Sequence, residues 1–287
     1  MSAHLVASVV FTGAQRAEAV REAEDGDEPD QGDHEEHERP RTVVALGGRT
    51  RERIRCYASA GYPMHDLQVF GDRVGKVVGR GFTAFKMRMG YGPTDGRAGM
   101  AKNVDLVRTA REVVGDGVDL MVDAYMGWNV PYAVAMLKML EPYNLFLLEE
   151  PVLPDDVAGY AEIRAKSGTP IAGGEHEFTR WGFQHLIASR AVDYVQLDVN
   201  RVGGITAART IWALAQAHHL PVVPHSQNFH NLHLIMANLN SPLSEYFPLD
   251  VREAEGRLTP CPGLDLAAHL ARLETIRARL LAVFRTM

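Results

Sequence analysis

The chain has 287 residues and a formal net charge of -6, a length that holds one large domain or two small ones. That charge is unevenly placed: residues 1–41 carry 11 acidic and 4 basic side chains, and residues 42–287 carry 25 and 26. The body is therefore near neutral, which argues against nucleic acid or a membrane surface as a partner, and the two cysteines, Cys56 and Cys261, form no disulfide framework and fit a reducing cytoplasm.

The opening "LVASVVF" is apolar but lacks a basic leader and is too short to span a bilayer, so no export signal is read. From residue 22 to 38 the sequence "EAEDGDEPDQGDHEEHE" is almost free of apolar side chains, the composition of a segment that cannot offset its ordering entropy. Residues 1–45 are accordingly expected to be a disordered remnant or linker, with an interaction arm or a metal loop through His34 and His37 as the other reading.

From about residue 46 short β-rich runs alternate with longer amphipathic stretches, the pattern of a parallel sheet with crossover helices. Eight runs are expected to be strands: "IRCYAS", "AFKMRM", "DLMVDA", "LFLLEE", "PIAGGE", "YVQLDV", "PVVPH" and "LSEYF". Segments 98–115, 130–143 and 204–219 repeat apolar residues at three and four spacing and predict helices. Eight evenly spaced units without an early glycine phosphate loop favour an α/β fold of the TIM type, a (β/α)7β barrel over residues 46–262, over an open doubly wound sheet. Residues 263–287 predict a C-terminal amphipathic helix packed on the barrel.

Barrels of this kind carry their chemistry at the C-terminal strand ends. Those ends read Lys86 and Arg88, Asp123, Glu149, Glu175, Asp198, His225 and Glu245, a ring of charge that packing does not require. Asp123, Glu149 and Glu175 come from consecutive strands at intervals of 26 and 26 residues. Strands lie about 5 Å apart, so the three carboxylates are expected to converge and to need a cation; oxygen ligands select a hard ion such as Mg²⁺. Glu150 is expected to turn away to a structural ion pair. Asp198 and His225 end adjacent strands, where a carboxylate–imidazole bond would set up His225 as a general base.

Lys86 is read as holding a substrate carboxylate or developing oxyanion, with Arg88 as a further clamp; the bland reading makes the two a solvated pair or counter-ions of the triad. Glu245 is read as a proton donor, as a support for His225, or as a plain salt bridge, and His176 as reaching into the mouth from the next turn. His230 and His233 are read as structural.

These residues and spacings resemble the mandelate racemase-like branch of the enolase superfamily. The likeness is carried by "VDAYMGWN", "LLEEP", "AGGEHEF", "QLDVNRVGG" and "PVVPHSQNFHN" and covers about residues 46–260. Three stretches, "YGPTDGRAGMAKNVDLVRTAREVVGD", "LEPYNLFLLEEP" and "GGEHEFTRWGF", look most like L-rhamnonate dehydratases and related acid-sugar dehydratases. The resemblance implies a Mg²⁺-dependent hydro-lyase: the C2 proton of an aldonate is abstracted, a metal-stabilised enediolate forms, and the C3 hydroxyl leaves to give a 2-keto-3-deoxy acid. His225 would serve as base, as acid, or as both. It also implies homo-oligomers and a small sugar-acid substrate.

Three departures accompany the likeness. Family members open with a capping domain, which is expected to be missing or truncated here; strand two reads Lys-Met-Arg where racemases have two lysines; and the C-terminal stretch differs from the family's ending. The alternatives are a hydroxy-acid racemase or epimerase, whose product keeps its C3 hydroxyl, and a truncated, non-catalytic barrel that binds metal or small acids.

Overall fold

A computed structural model describes residues 46–248 of the chain. The readings for residues 1–45 and 263–287, and the last part of the expected barrel, lie outside the described residues. Within them, strands and helices alternate: β1 (Arg55–Ser59), α1 (Leu67–Val78), β2 (Ala84–Arg88), α2 (Gly96–Val114), β3 (Asp119–Asp123), α3 (Val130–Leu140), β4 (Leu147–Glu149), α4 (Val157–Lys166), β5 (Ile171–Gly173), α5 (Thr179–Ala188), β6 (Tyr194–Val195), α6 (Ile205–Ala217), α7 (Phe229–Ala237) and β7 (Leu243–Tyr246).

Local chemistry starts the helices where the apolar periodicity begins. Asp66 caps α1 by accepting from the N–H groups of Gln68 and Val69, Asn129 caps α3, Asp156 caps α4, and Asn228 caps α7; each cap satisfies a backbone donor that the first turn leaves without a partner.

The strands form one parallel sheet in the order β6-β5-β4-β3-β2-β1-β7. Seven of the eight expected runs are strands. The exception, "PVVPH", makes one bridge, between Val195 and Val222. Pro221 and Pro224 have no N–H to give a ladder, yet the run still acts as a stave. Val223 N donates to Val195 O at 2.9 Å and His225 N to Leu197 O at 3.0 Å, while on its other side Val222 N donates to Asn240 O at 2.8 Å, just ahead of β7. The sheet is thereby curled, with helices outside it.

The inside of that curl is stacked in layers. Tyr57, Ala84, Met121, Leu147, Ala172, Val223 and Leu243 form one buried apolar cluster, with Tyr194 packed against it. Side chains alternate along a strand, so the residues two positions further point the same way. Read from Ala84, Met121, Leu147, Tyr194, Val223 and Leu243, they are Lys86, Asp123, Glu149, Gln196, His225 and Glu245. An apolar floor therefore carries a polar layer directly above it, at the C-terminal mouth. β5 breaks the sequence, because two positions beyond Ala172 lies Gly174.

Candidate active site at the barrel mouth

Lys86 is the hub of the polar layer. Its Nζ lies 2.7 and 2.6 Å from the two carboxylate oxygens of Glu149 and 2.9 Å from Glu245 Oε1, an ion pair that lacks hydrogen-bond alignment. The residue is 4 % exposed, and Glu149 and Glu245 are 1 % and 2 %. Burial opposes the ammonium charge, but Glu149 and Glu245 outweigh it and hold Lys86 well above the usual lysine value. Of the two sequence readings, this arrangement favours the counter-ion over direct contact with substrate.

Glu149 accepts a further hydrogen bond from Gln196 Nε2 at 2.6 Å. Burial pushes its carboxyl up to about 7; Lys86 pulls against that shift, and Asp123, Glu245 and Glu175 reinforce it. Gln196 was passed over in the sequence because Asp198 looked like the end of its strand. Counting in twos from the apolar floor would have found it.

Arg88 and Asp123 sit side by side at the rim. Arg88 Nε and Nη2 donate to Asp123 Oδ2 at 3.2 and 3.0 Å, and the guanidinium lies 3.9 Å from the Tyr125 ring centroid and 5.5 Å from that of Tyr62. Asp123 Oδ1 accepts from Tyr125 N at 2.7 Å. In register, Asp123 pairs with Glu149 as the sequence spacing predicts.

Glu175 does not continue that register, and here the sequence reading needs correcting. Glu149 is opposite Ala172, three residues before Glu175. Between them Gly174 turns at φ +122, where an added Cβ would fall 2.8 Å from Phe183 Cε1. Glu175 thus reaches the mouth from the turn after β5. Its Oε2 lies 3.6 Å from His225 Nε2, and its Oε1 lies 3.5 Å from both His176 Nδ1 and Arg201 Nη1.

Glu150 also departs from expectation. It forms an ion pair, but with His176, whose Nδ1 is 2.9 Å from both carboxylate oxygens, and it stays at the mouth. Its backbone takes φ 43, a strained left-handed conformation for a non-glycine residue. Burial, with Glu175 and Glu149 nearby, pushes its carboxyl up to about 9. Burial lowers the His176 pKa, and Glu175 opposes that effect.

Asp198 and His225 meet as predicted, with His225 Nδ1 2.7 Å from Asp198 Oδ2. Asp198 Oδ1 accepts from Asn200 N at 2.8 Å and Arg201 N at 3.3 Å; although burial alone would raise its carboxyl, His225 and these donors hold it below the ordinary value. Burial works against protonation of His225, but Asp198, Glu245 and Glu175 prevail and raise it. The Nδ1 contact leaves Nε2 facing the carboxylates. Glu245 Oε2 accepts from Ser226 N at 2.6 Å, and Asn231 Nδ2 donates to the His225 and Ser226 carbonyls at 2.5 and 2.7 Å. Glu245 is thus placed both in a salt bridge and against the turn that carries His225.

The donor set suits a hard divalent cation. Six carboxyl groups (Asp123, Glu149, Glu150, Glu175, Asp198 and Glu245) face three permanently charged cations, Lys86, Arg88 and Arg201, an excess of acidic groups whose ionisation desolvation penalises, as the raised Glu149 and Glu150 carboxyls reflect. Ligand atoms of Glu150, Glu175 and His176 lie within 4.8 Å of one another. Glu175 belongs both to this group and to the expected triad with Asp123 and Glu149.

Residues 70–273 match the family model described as enolase C-terminal domain-like. The chain is 37% identical over 212 residues to the L-rhamnonate dehydratase of Saccharopolyspora erythraea, covering 73% of this chain and 52% of that protein. Among solved structures, it is similar to the rhamnonate dehydratase of Gibberella zeae complexed with Mg (34% identity, TM-score 0.64, 71% of this chain and 48% of that one). It is also similar to a racemase of Streptomyces coelicolor with bound magnesium (29% identity, TM-score 0.66, 71% and 56%). The chain spans about half the length of the curated relatives it matches. Parallel curled sheet and family match agree: this chain belongs to the enolase superfamily, in its mandelate racemase-like branch.

Proposed function

We propose that the protein is a Mg²⁺-dependent acid-sugar dehydratase acting on an aldonate of the L-rhamnonate type. The observation that carries this reading is the Asp198–His225 pair, whose Nδ1 contact of 2.7 Å leaves Nε2 directed at a carboxylate cluster, 3.6 Å from Glu175 Oε2. The dehydratase named among its relatives and the magnesium-bound neighbours support the same choice of substrate class and ion.

Asp123, Glu149 and Glu175 would hold Mg²⁺, with Glu150 and His176 beside them. When bound, the ion stabilises negative charge on the substrate carboxylate, which lowers the cost of removing the neighbouring C2 proton. His225 Nε2 takes that proton, and the C–H electron pair becomes the second C1–C2 bond of an enediolate. The imidazolium, held by Asp198, then returns a proton to the C3 hydroxyl, which departs as water while the electron pair forms the C2–C3 double bond. Tautomerisation of the resulting enol gives the 2-keto-3-deoxy acid. Asp198 fixes the His225 tautomer and stabilises its charged form. Glu245 holds the following turn through Ser226 N, and Lys86 favours the ionised form of Glu149 against its burial.

Racemisation calls for a second base on the opposite side of C2. The resemblance would put that base at the end of strand two, where this chain has Arg88; burial works against its charge but Asp123 prevails and raises its pKa, and an arginine is a poor base. The test is to incubate the protein and Mg²⁺ with a panel of aldonic acids in D₂O and to follow 2-keto-3-deoxy acid formation and C2 exchange. Turnover that is lost in His225→Asn and Glu175→Gln supports the dehydratase. A deuterated product that keeps its C3 hydroxyl means a racemase or epimerase, and no exchange with any acid means a binding barrel.

A further inference from the structure

Arg201 was not singled out by any reading of the strand ends, yet it bridges the two halves of the site. It follows β6 in the turn "DVNRVGG", which Gly203 and Gly204 close at φ +101 and +92. Asp198 shapes the start of that turn by accepting from the N–H groups of Asn200 and Arg201. The Arg201 side chain, one-third exposed, then crosses to the end of β5. There Nη1 donates to the main-chain carbonyl of Glu175 at 2.7 Å and lies 3.5 Å from Glu175 Oε1, while Nε lies 4.0 Å from Asp198 Oδ2.

This contact matters because Glu175 has left the sheet. The ladder ends at Gly173, paired with Val195, and Gly174 has turned the chain out of register. The next strand therefore does not fix Glu175. A guanidinium, with five donors in a rigid fork, can grip a carbonyl and stand beside a carboxylate at once.

We propose that Arg201 is a positioning residue that holds Glu175 in its cation-binding pose and keeps it in fixed relation to the Asp198–His225 pair. The proposal rests on the reading of Glu175 as a Mg²⁺ ligand. It also makes a prediction of definite sign. A positive charge this near a cation site would by itself repel the ion, so charge alone predicts that neutralising Arg201 tightens Mg²⁺ binding. Positioning predicts the reverse, a weakening of about 10-fold or more, as found when supporting partners of metal ligands are lost.

The experiment is calorimetric titration of Mg²⁺ into substrate-free wild type, Arg201→Gln, Arg201→Lys and Glu175→Gln, with hydrogen–deuterium exchange of segment 174–178 measured on the same metal-free samples. Expected are about 10-fold weaker binding and faster exchange in Arg201→Gln, and partial recovery of both in Arg201→Lys. Tighter or unchanged binding in Arg201→Gln, with Glu175→Gln impaired, overturns the role of Arg201 and leaves Glu175 as ligand. If wild type takes up no Mg²⁺, or Glu175→Gln binds it normally, the metal reading fails, and the exchange data decide the positioning claim alone. Unchanged exchange in Arg201→Gln refutes it.

Discussion

Replacing Lys86 by Met tests the central charge arrangement most directly. Met is close to Lys in length and removes only the ammonium, which contacts Glu149 at 2.6 and 2.7 Å and Glu245 at 2.9 Å. Both carboxylates are almost fully buried, so neither can recover its lost partner from solvent. Removing one member of a buried ion pair typically costs about 3–5 kcal/mol, and here one cation serves two anions, which places the expected loss at the upper end near pH 7. The loss must also depend on pH. Without Lys86 the Glu149 carboxyl, already raised to about 7, rises further, and the Glu245 carboxyl, which Lys86 helps to hold below its ordinary value, rises too, so the folded variant binds more protons than folded wild type. Its stability relative to wild type then falls as pH climbs from the ordinary glutamate range, and the gap narrows toward pH 5. Urea unfolding in Mg²⁺-free buffer at pH 5 and 7.5 reads both effects. A loss below about 1 kcal/mol at pH 7.5, or a loss equal at the two pH values, would refute the hub.

Three further outcomes follow from the same geometry. Gly174→Ala meets φ +122 and a 2.8 Å approach to Phe183; it should cost about 1–3 kcal/mol and weaken Mg²⁺ binding by displacing Glu175, and a calorimetric titration matching wild type would contradict this. His225 must be neutral to take a proton, and its pKa is raised, with burial outweighed by Asp198 and the neighbouring carboxylates. In the metal-free protein the imidazole should therefore titrate above pH 6.5, and an NMR titration that puts it at or below that value would contradict the Asp198–His225 arrangement. Asn231→Leu strips the donor from the His225 and Ser226 carbonyls; leaving buried acceptors unmet costs about 1–3 kcal/mol, which thermal denaturation should register together with a fall in kcat.

Most of the fold was readable because its signals are local. Alternation along "DLMVDA" predicts Asp123 facing inward above Met121, and the 26-residue spacing places Glu149 beside it, as the register confirms. "PVVPH" reads as a strand, but its prolines limit it to a single bridge, and only the tertiary contacts to Val195, Leu197 and Asn240 reveal it as a stave. The site was less legible wherever a turn resets the phase. Equal spacing made Glu175 look like a third in-register carboxylate, yet one glycine in a left-handed conformation brings it in from a loop. Glu150 likewise sits at φ 43, so alternation mispredicts its direction. Gln196 is legible once the alternation is counted from Tyr194, but Arg201 is not, because no spacing encodes a contact to a carbonyl oxygen two elements away.

The apolar floor beneath the polar layer has a further consequence. Six staves, all but β1 and β5, pass straight from a floor residue to a site residue two positions on, with no loop between them to absorb a change. The girth of the barrel at Met121, Leu147 and Val223 therefore sets the diameter of the ring of functional groups above. Substrate size can be tuned from underneath: trimming or enlarging a floor side chain shifts Asp123, Glu149 or His225 through a rigid strand, and none of the altered atoms ever meets the substrate.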